Sequence, residues 1–380
     1  MTVYGTRPEA IKVAPVIQEL QRSDTLSAIT VVTGQHREML DQVNHLFGIV
    51  PDHDLDIFEH GASLSRIVSR VLDRIDPVLE AERPAALIVQ GDTSTSAAAA
   101  LGAFHHGIPV VHLEAGLRSG DLRSPFPEEA NRRLTSQLAS LHLAPTAASR
   151  ANLVREAISE HAVVVTGNTV IDALLTAAGK ASSFSDPVLE RVTSGSRRIV
   201  LVTTHRRENW GTAMQGIGRA LASIADAFPD VEVVVPLHRN PVVREALAPH
   251  LDGRPNVTLV EPLAYAEFTR LLALASVVLT DSGGIQEEAP SLGKPVLVLR
   301  ENTERPEAVA AGTVRLIGTD TDTIVHETSI LLSDPAAYEA MARATNPYGD
   351  GRGAFRSVAA ITHMLGLGDR PADWVTEGRP

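Results

Sequence analysis

Short, almost wholly apolar runs rich in valine and isoleucine recur along this chain between longer alanine- and leucine-rich amphipathic stretches. A strand that is apolar on both faces must be covered on both faces, and helices packed above and below a parallel sheet provide that cover. The class specified is α/β. In the first half the strand candidates are 2–4, 29–33, 86–90, 110–113, 141–144 and 162–165. A second series follows the polar stretch 181–196, at 198–203, 231–236, 257–260, 277–280, 295–298 and 314–317. Two doubly wound, Rossmann-like domains are expected.

Open parallel sheets bind ligands outside the carboxyl ends of their strands, so two such domains facing one another would form a cleft between those ends. Five predicted strand ends run into ionisable or glycine-bearing loops. They are Gly5-Thr6-Arg7-Pro8-Glu9, Gly91-Asp92-Thr93-Ser94, Glu114-Ala115-Gly116-Leu117-Arg118, His205-Arg206-Arg207-Glu208 and Asp281-Ser282-Gly283-Gly284. Pro8 suits the first turn of the helix that would carry Lys12.

Composition removes several functions. A net charge of -12 with no basic cluster gives nucleic acid no electrostatic footprint. The absence of cysteine removes disulfides, thiolate metal sites and cysteine nucleophiles, and fits a reducing compartment. No apolar stretch approaches the roughly 20 residues of a membrane helix, the longest being 271–279, and no leader pattern opens the chain. A cytoplasmic protein with no membrane partner is expected. The chain enters its first strand within a few residues of Met1, which points to a truncated or late-assigned start. There is no G-x-G-x-x-G after the first strand, no Walker loop, no H-E-x-x-H and no G-x-S-x-G. Dinucleotide, ATP, metal and serine-hydrolase chemistry are therefore unsupported, and no cofactor is expected.

The sharpest local signal is Asp281 to Glu288. Ser282, Gly283 and Gly284 lack bulky side chains, so backbone N–H groups at a helix start could approach a phosphate closely; the plain alternative is a turn capped by Ser282 or Asp281. Glu288, farther along that helix, could accept both hydroxyls of a ribose or could be a solvated helix carboxylate. Arg7, Lys12, Arg206 and His238 bring positive charge to strand exits, as a diphosphate without a metal would need, or are surface residues of an arginine-rich chain. Asp92, Glu114 and Glu128 form the candidate catalytic set, with His205 expected opposite from the other domain. Carboxylates gathered in a cleft raise one another's pKa, so one can carry a proton while another stays a base. Singly, Asp92 and Glu114 could instead cap the helices that follow, and Glu128 could merely suit a helix's first turn.

Eight longer motifs lie in order along the chain: GTRPEAIKVAP (5–15), TGQHREMLDQV (33–43), QGDTSTS (90–96), HLEAGLRSGD (112–121), PFPEEANRR (125–133), TGNTVIDAL (166–174), THRRENWG (204–211) and TDSGGIQEEAPSLGKPVLVLRENTERPEA (280–308). Together they closely resemble the non-hydrolysing UDP-N-acetylglucosamine 2-epimerases.

The resemblance implies a glycosyltransferase-B-like architecture. Residues 1–168 would carry the catalytic carboxylates and dimer contacts, 169–350 would bind UDP, and 351–380 would cross back to the N-terminal domain of a homodimer. The implied reaction is reversible inversion at carbon 2, converting UDP-GlcNAc to UDP-ManNAc for cell-envelope polysaccharide. The carbon-2 proton has no adjacent carbonyl to acidify it, so the family's route is anti elimination of UDP to 2-acetamidoglucal, then syn re-addition. Arg7, Ser282, Gly283 and Gly284 would receive the diphosphate with His238 nearby, and Glu288 the ribose. Lys12 and Arg305 match positions around sugar and diphosphate, Pro262 and Phe268 the uracil end, and His205 the glycosidic oxygen. A second UDP-GlcNAc, as activator, would engage Gln35, Glu38, Glu128, Arg206 and His238. Glu38 stands where some regulated members carry glutamine, and Gly167-Asn168 is the expected hinge.

The nearest rival is a hydrolysing epimerase releasing ManNAc and UDP; a 2-epimerase of a related UDP-diacetamido sugar is another. A glycosyltransferase would need an acceptor groove, and a silent nucleotide-sugar sensor would not need the acid set. Asp92→Asn or Glu114→Gln is expected to slow turnover by roughly two to four powers of ten, with little change in UDP affinity measured by calorimetry.

Overall fold

The computed structural model describes residues 1–34, 37–180 and 183–375, apart from the side chains of residues 37–39. It divides into two compact units, Met1–Ala173 together with the segment that starts at Tyr348, and Leu174–Pro347.

In the first unit the strands are β1 (Thr2–Tyr4), β2 (Thr30–Val32), β3 (His53–Asp54), β4 (Leu87–Gln90), β5 (Val110–Leu113), β6 (Leu141–Ala144) and β7 (Val163–Val165). All pair in parallel, in the order β3-β2-β1-β4-β5-β6-β7. The second unit holds β8 (Arg198–Thr203), β9 (Val231–Pro236), β10 (Val257–Val260), β11 (Ala275–Thr280), β12 (Val296–Val298) and β13 (Val314–Leu316). Its order, β10-β9-β8-β11-β12-β13, is the same winding from a central first strand. In both sheets the order reverses beside that strand, so the loops after β1 and β4, and after β8 and β11, come out side by side at a topological switch point.

The central stretches of most strands are buried because apolar side chains cover both faces, as at Val3, Val31, Leu87 and Val89 in the first unit and Val200, Val202, Val233 and Leu279 in the second. Two departures from the sequence reading go beyond a single residue at a strand end. β3 was not foreseen, since a two-residue edge strand of His and Asp has no apolar signature. β11 begins at Ala275 because a register irregularity between Ala275 and Val277 lets the strand start inside what reads as the preceding apolar run. The polar stretch 181–196 contains a short helix, Pro187–Thr193, capped by the Asp186 carboxylate.

The segment after Tyr348 belongs to the first unit through specific bonds. Its Gly353–Met364 helix packs on the Arg7–Gln21 helix. Beyond that helix, the Asp373 carboxylate accepts the Val165 N–H at 2.9 Å and the Trp374 N–H donates to the Val165 carbonyl at 2.7 Å. At the helix start, the buried Asp172 carboxylate accepts the N–H groups of Gly353 and Ala354 at 3.1 and 2.9 Å. Burial raises Asp172 to about 6, with Asp350 pushing the same way, against the opposing pull of those N–H groups. The folded state thus holds this proton more tightly than the unfolded chain does. Its contribution favours folding below pH 4 and is lost as pH rises through about 6, a change of about 3 kcal/mol. Asp172→Asn is expected to flatten that part of the stability profile, read by denaturant unfolding at a series of pH values between 4 and 7.

Candidate active site

In the first unit the sequence candidates collect at the ends of β1, β4 and β5. Arg7 is half-buried at the start of the Arg7–Gln21 helix, and Lys12 lies one turn farther along. Lys12 Nζ is 2.5 Å from Glu114 Oε2, and Asn168 Nδ2 donates to the same oxygen at 3.2 Å. Glu114 has φ 63°, a left-handed conformation that costs a non-glycine residue on the order of 1–3 kcal/mol and aims the side chain out of the strand's line. No helix begins there, so the cap reading of Glu114 fails. It fails for Asp92 as well: the cap is Thr93, whose hydroxyl accepts the Ser96 N–H at 3.1 Å. Asp92 instead pairs with Arg132 at 2.6 Å. Glu128 opens the Glu128–Leu138 helix, with Oε2 buried and unpartnered.

Sequence reasoning missed what fixes these loops. Glu9 is buried and accepts the N–H groups of Gly5 and Thr6 at 2.9 and 2.7 Å and the hydroxyls of Thr93 and Ser96 at 2.6 and 2.9 Å, which joins the β1 and β4 exits. The Thr6-x-x-Glu9 capping box was the available signal. Glu129, fully buried, accepts the N–H groups of Ser119 and Gly120 and pairs with Arg132 and Arg133. Burial pushes its carboxyl up, but the Ser119 N–H and the two guanidinium groups outweigh that and hold it below the ordinary value. Nothing in Glu128-Glu129 distinguishes the two roles by sequence. Gly91 turns the chain toward Asp92 at φ 67°, and its carbonyl accepts from His112 Nε2 at 2.8 Å. Burial depresses His112 to about 4, so the ring is neutral.

In the second unit Asp281 is wholly buried and is not a helix cap. It accepts the His205 and Arg206 N–H groups, each at 2.9 Å, the Thr204 hydroxyl at 2.8 Å and Asn209 Nδ2 at 3.1 Å. Its Oδ1 lies 3.1 Å from His205 Nδ1. Burial raises its pKa, yet the His205 ring and the backbone donors prevail and hold it low. The His205 ring stacks on His238, centroids 5.7 Å apart. Partial burial and the neighbouring His205 keep His238 below its ordinary value. Trp210 closes the same loop, its Nε1 donating to the His205 carbonyl at 3.3 Å.

The Gly283–Ser291 helix starts in this loop cluster. Ser282 holds the cap position without a side-chain cap bond. A Cβ at Gly283 would lie 3.6 Å from Arg305 Cζ and 3.7 Å from an Arg206 guanidinium nitrogen, so two cations converge on the helix start. A Cβ at Gly284 would meet nothing within 4 Å. Protein packing therefore does not explain that glycine; an open, doubly cationic helix N-terminus is suited to an anion. Glu288 is buried, not solvated, and accepts the Tyr265 hydroxyl at 3.1 Å. Phe268 is half-buried one turn after Tyr265, and Arg305 Nε pairs with Glu287 at 2.6 Å. Pro262 is exposed in the loop after β10. Gln35 lies outside the described residues, as does the side chain of Glu38. Among the described residues, no group of His, Asp and Glu has the arrangement of a metal site, and no helix is long and apolar enough to cross a membrane.

Two Rossmann-like units wound in this way make the protein an α/β protein of the glycosyltransferase-B-like kind. Residues 18–362 match the family model described as UDP-N-acetylglucosamine 2-epimerase. The Escherichia coli (strain K12) UDP-N-acetylglucosamine 2-epimerase is 50% identical over 367 residues, covering 95% of this chain and 97% of its own. A crystal structure from Listeria monocytogenes aligns at TM-score 0.93 with 45% identity, covering 99% of this chain and 98% of the other. That of the Neisseria meningitidis UDP-GlcNAc 2-epimerase, bound to UDP-GlcNAc, aligns at 0.83 with 47% identity over 95% and 99%. The chain belongs to the UDP-N-acetylglucosamine 2-epimerase family.

Gly284→Ala is expected to leave the thermal midpoint unchanged or slightly higher, because alanine is the better helix former and has room. The same change should weaken binding of a nucleoside diphosphate about tenfold or more, measured by calorimetry.

Proposed function

We propose that this protein interconverts UDP-GlcNAc and UDP-ManNAc at carbon 2 without net hydrolysis. The observation that carries the reading is the near end-to-end match to a family in which the Neisseria meningitidis member was solved with UDP-GlcNAc bound. In the elimination, a carboxylate takes the carbon-2 proton as the bond from carbon 1 to the UDP oxygen breaks. The C–H electron pair becomes the carbon 1–carbon 2 double bond of 2-acetamidoglucal, and the other pair leaves on the diphosphate. In the return step, the UDP oxygen bonds carbon 1 again and a proton reaches carbon 2 on the opposite face.

Asp92, Glu114 and Glu128 are the proposed proton handlers, and the fixed aim of Glu114 supports its inclusion. Arg7, Lys12, Arg206, Arg305 and the N–H groups after Ser282 would stabilise charge growing on the leaving diphosphate, a task that oriented donors perform without reorganisation. His205 would serve the glycosidic oxygen with His238 nearby, Glu288 the ribose, and Pro262 and Phe268 the uracil. Homodimer formation and activation by a second UDP-GlcNAc at Gln35, Glu38, Glu128, Arg206 and His238 are part of the same proposal, as is a supply of UDP-ManNAc to envelope polysaccharide.

A proton NMR time course with UDP-GlcNAc in deuterated water tests the reading. UDP-ManNAc carrying deuterium at carbon 2, with little free sugar, is the expected product. Free ManNAc with UDP would move the protein to the hydrolysing type, and an unchanged spectrum would overturn the choice of substrate.

A further inference from the structure

Asp92 is held by residues that have no assigned part in the chemistry. Its own carbonyl accepts from Asn131 Nδ2 at 2.9 Å, and its Oδ2 lies 2.6 Å from Arg132 Nη2. Both donors stand on the first turns of the helix that Glu128 opens. The other terminal nitrogen of Arg132, Nη1, is 3.2 Å from Oε2 of the fully buried Glu129, which is itself fixed by the Ser119 N–H at 3.0 Å. One guanidinium therefore bridges two carboxylates, one fully buried and one partly exposed. A planar fork can hold two such partners at a set angle, whereas an ammonium is a single point charge.

We propose that Arg132, anchored on Glu129, is the positioning residue that sets the Asp92 carboxylate relative to the carbon-2 proton. The inference rests on the reading of Asp92 as a proton-handling group. The Asp92 side chain is partly exposed, at 23%, and would otherwise be free to turn toward water. Misplacing a reacting group by about 1 Å costs on the order of 100-fold in rate, without a matching loss of ground-state binding.

Four variants of the full chain test it: Asp92→Asn, Arg132→Gln, Arg132→Lys and the double variant Asp92→Asn/Arg132→Gln. Each is assayed for kcat and KM with UDP-GlcNAc, and for UDP affinity by calorimetry. Arg132→Gln should lower kcat about 100-fold with KM within about threefold, and Arg132→Lys should recover part of the loss. The double variant should be no slower than Asp92→Asn alone, because a residue acting only through Asp92 has nothing left to position. A loss borne by KM or UDP affinity would make Arg132 a ligand for the substrate and overturn the inference. Independent, multiplying losses in the double variant would do the same. If Arg132→Gln does not fold, the same cycle is run with Arg132→Lys. Wild-type turnover by Asp92→Asn would overturn the reading of Asp92 itself; a slow Asp92→Asn beside a fast Arg132→Gln would overturn this inference alone.

Discussion

Backbone that leaves a buried parallel strand must find partners for its N–H groups where neither sheet nor helix supplies them. Among the described residues one device recurs four times, three times in loops that follow strands and once at a helix start: a buried carboxylate accepts two consecutive N–H groups. Glu9 takes Gly5 and Thr6, Glu129 takes Ser119 and Gly120, Asp172 takes Gly353 and Ala354, and Asp281 takes His205 and Arg206. Three of these pairs hold loops that carry candidate site residues. Removing one such carboxylate would leave two orphaned donors, and each unsatisfied buried group costs about 1–3 kcal/mol.

This divides the acidic residues by occupation. Glu9, Glu129 and Asp281 are used up by the backbone, and neighbouring charges reinforce the last two. Asp92 and Glu114 face a cation instead, Arg132 and Lys12 in turn. The scaffold thus has carboxylates of its own, distinct from the three proposed as proton handlers. In the second unit the same logic turns Asp281 into the fixed point from which the His205–Arg206 loop and the start of the Gly283–Ser291 helix are both measured.

Much of this architecture was legible in the sequence because burial on both faces of a strand leaves a run that is apolar at every position. The strands at 2–4, 110–113, 141–144, 198–203, 231–236 and 257–260 have the bounds read from that signal. β3 lacked it, being a polar edge. The chemistry was harder to divide. Glu128 and Glu129 are adjacent and identical, and only the helix phase decides that one is buried and the other opens the helix toward the candidate acids. The cap readings of Asp92 and Glu114 failed because a residue one step away, Thr93, was the better cap, and because Glu114 adopts a left-handed turn that composition does not forecast.

The return of the chain after Tyr348 to the unit that contains Met1 has a consequence for how the protein is made. The unit Leu174–Pro347 is continuous, so all of its strands have left the ribosome before the Gly353–Met364 helix does. The Arg7–Gln21 helix, synthesised first, must wait for a partner more than three hundred residues downstream. Domains generally complete as units during synthesis, and here the order is inverted: the second to be started is the first that can be finished.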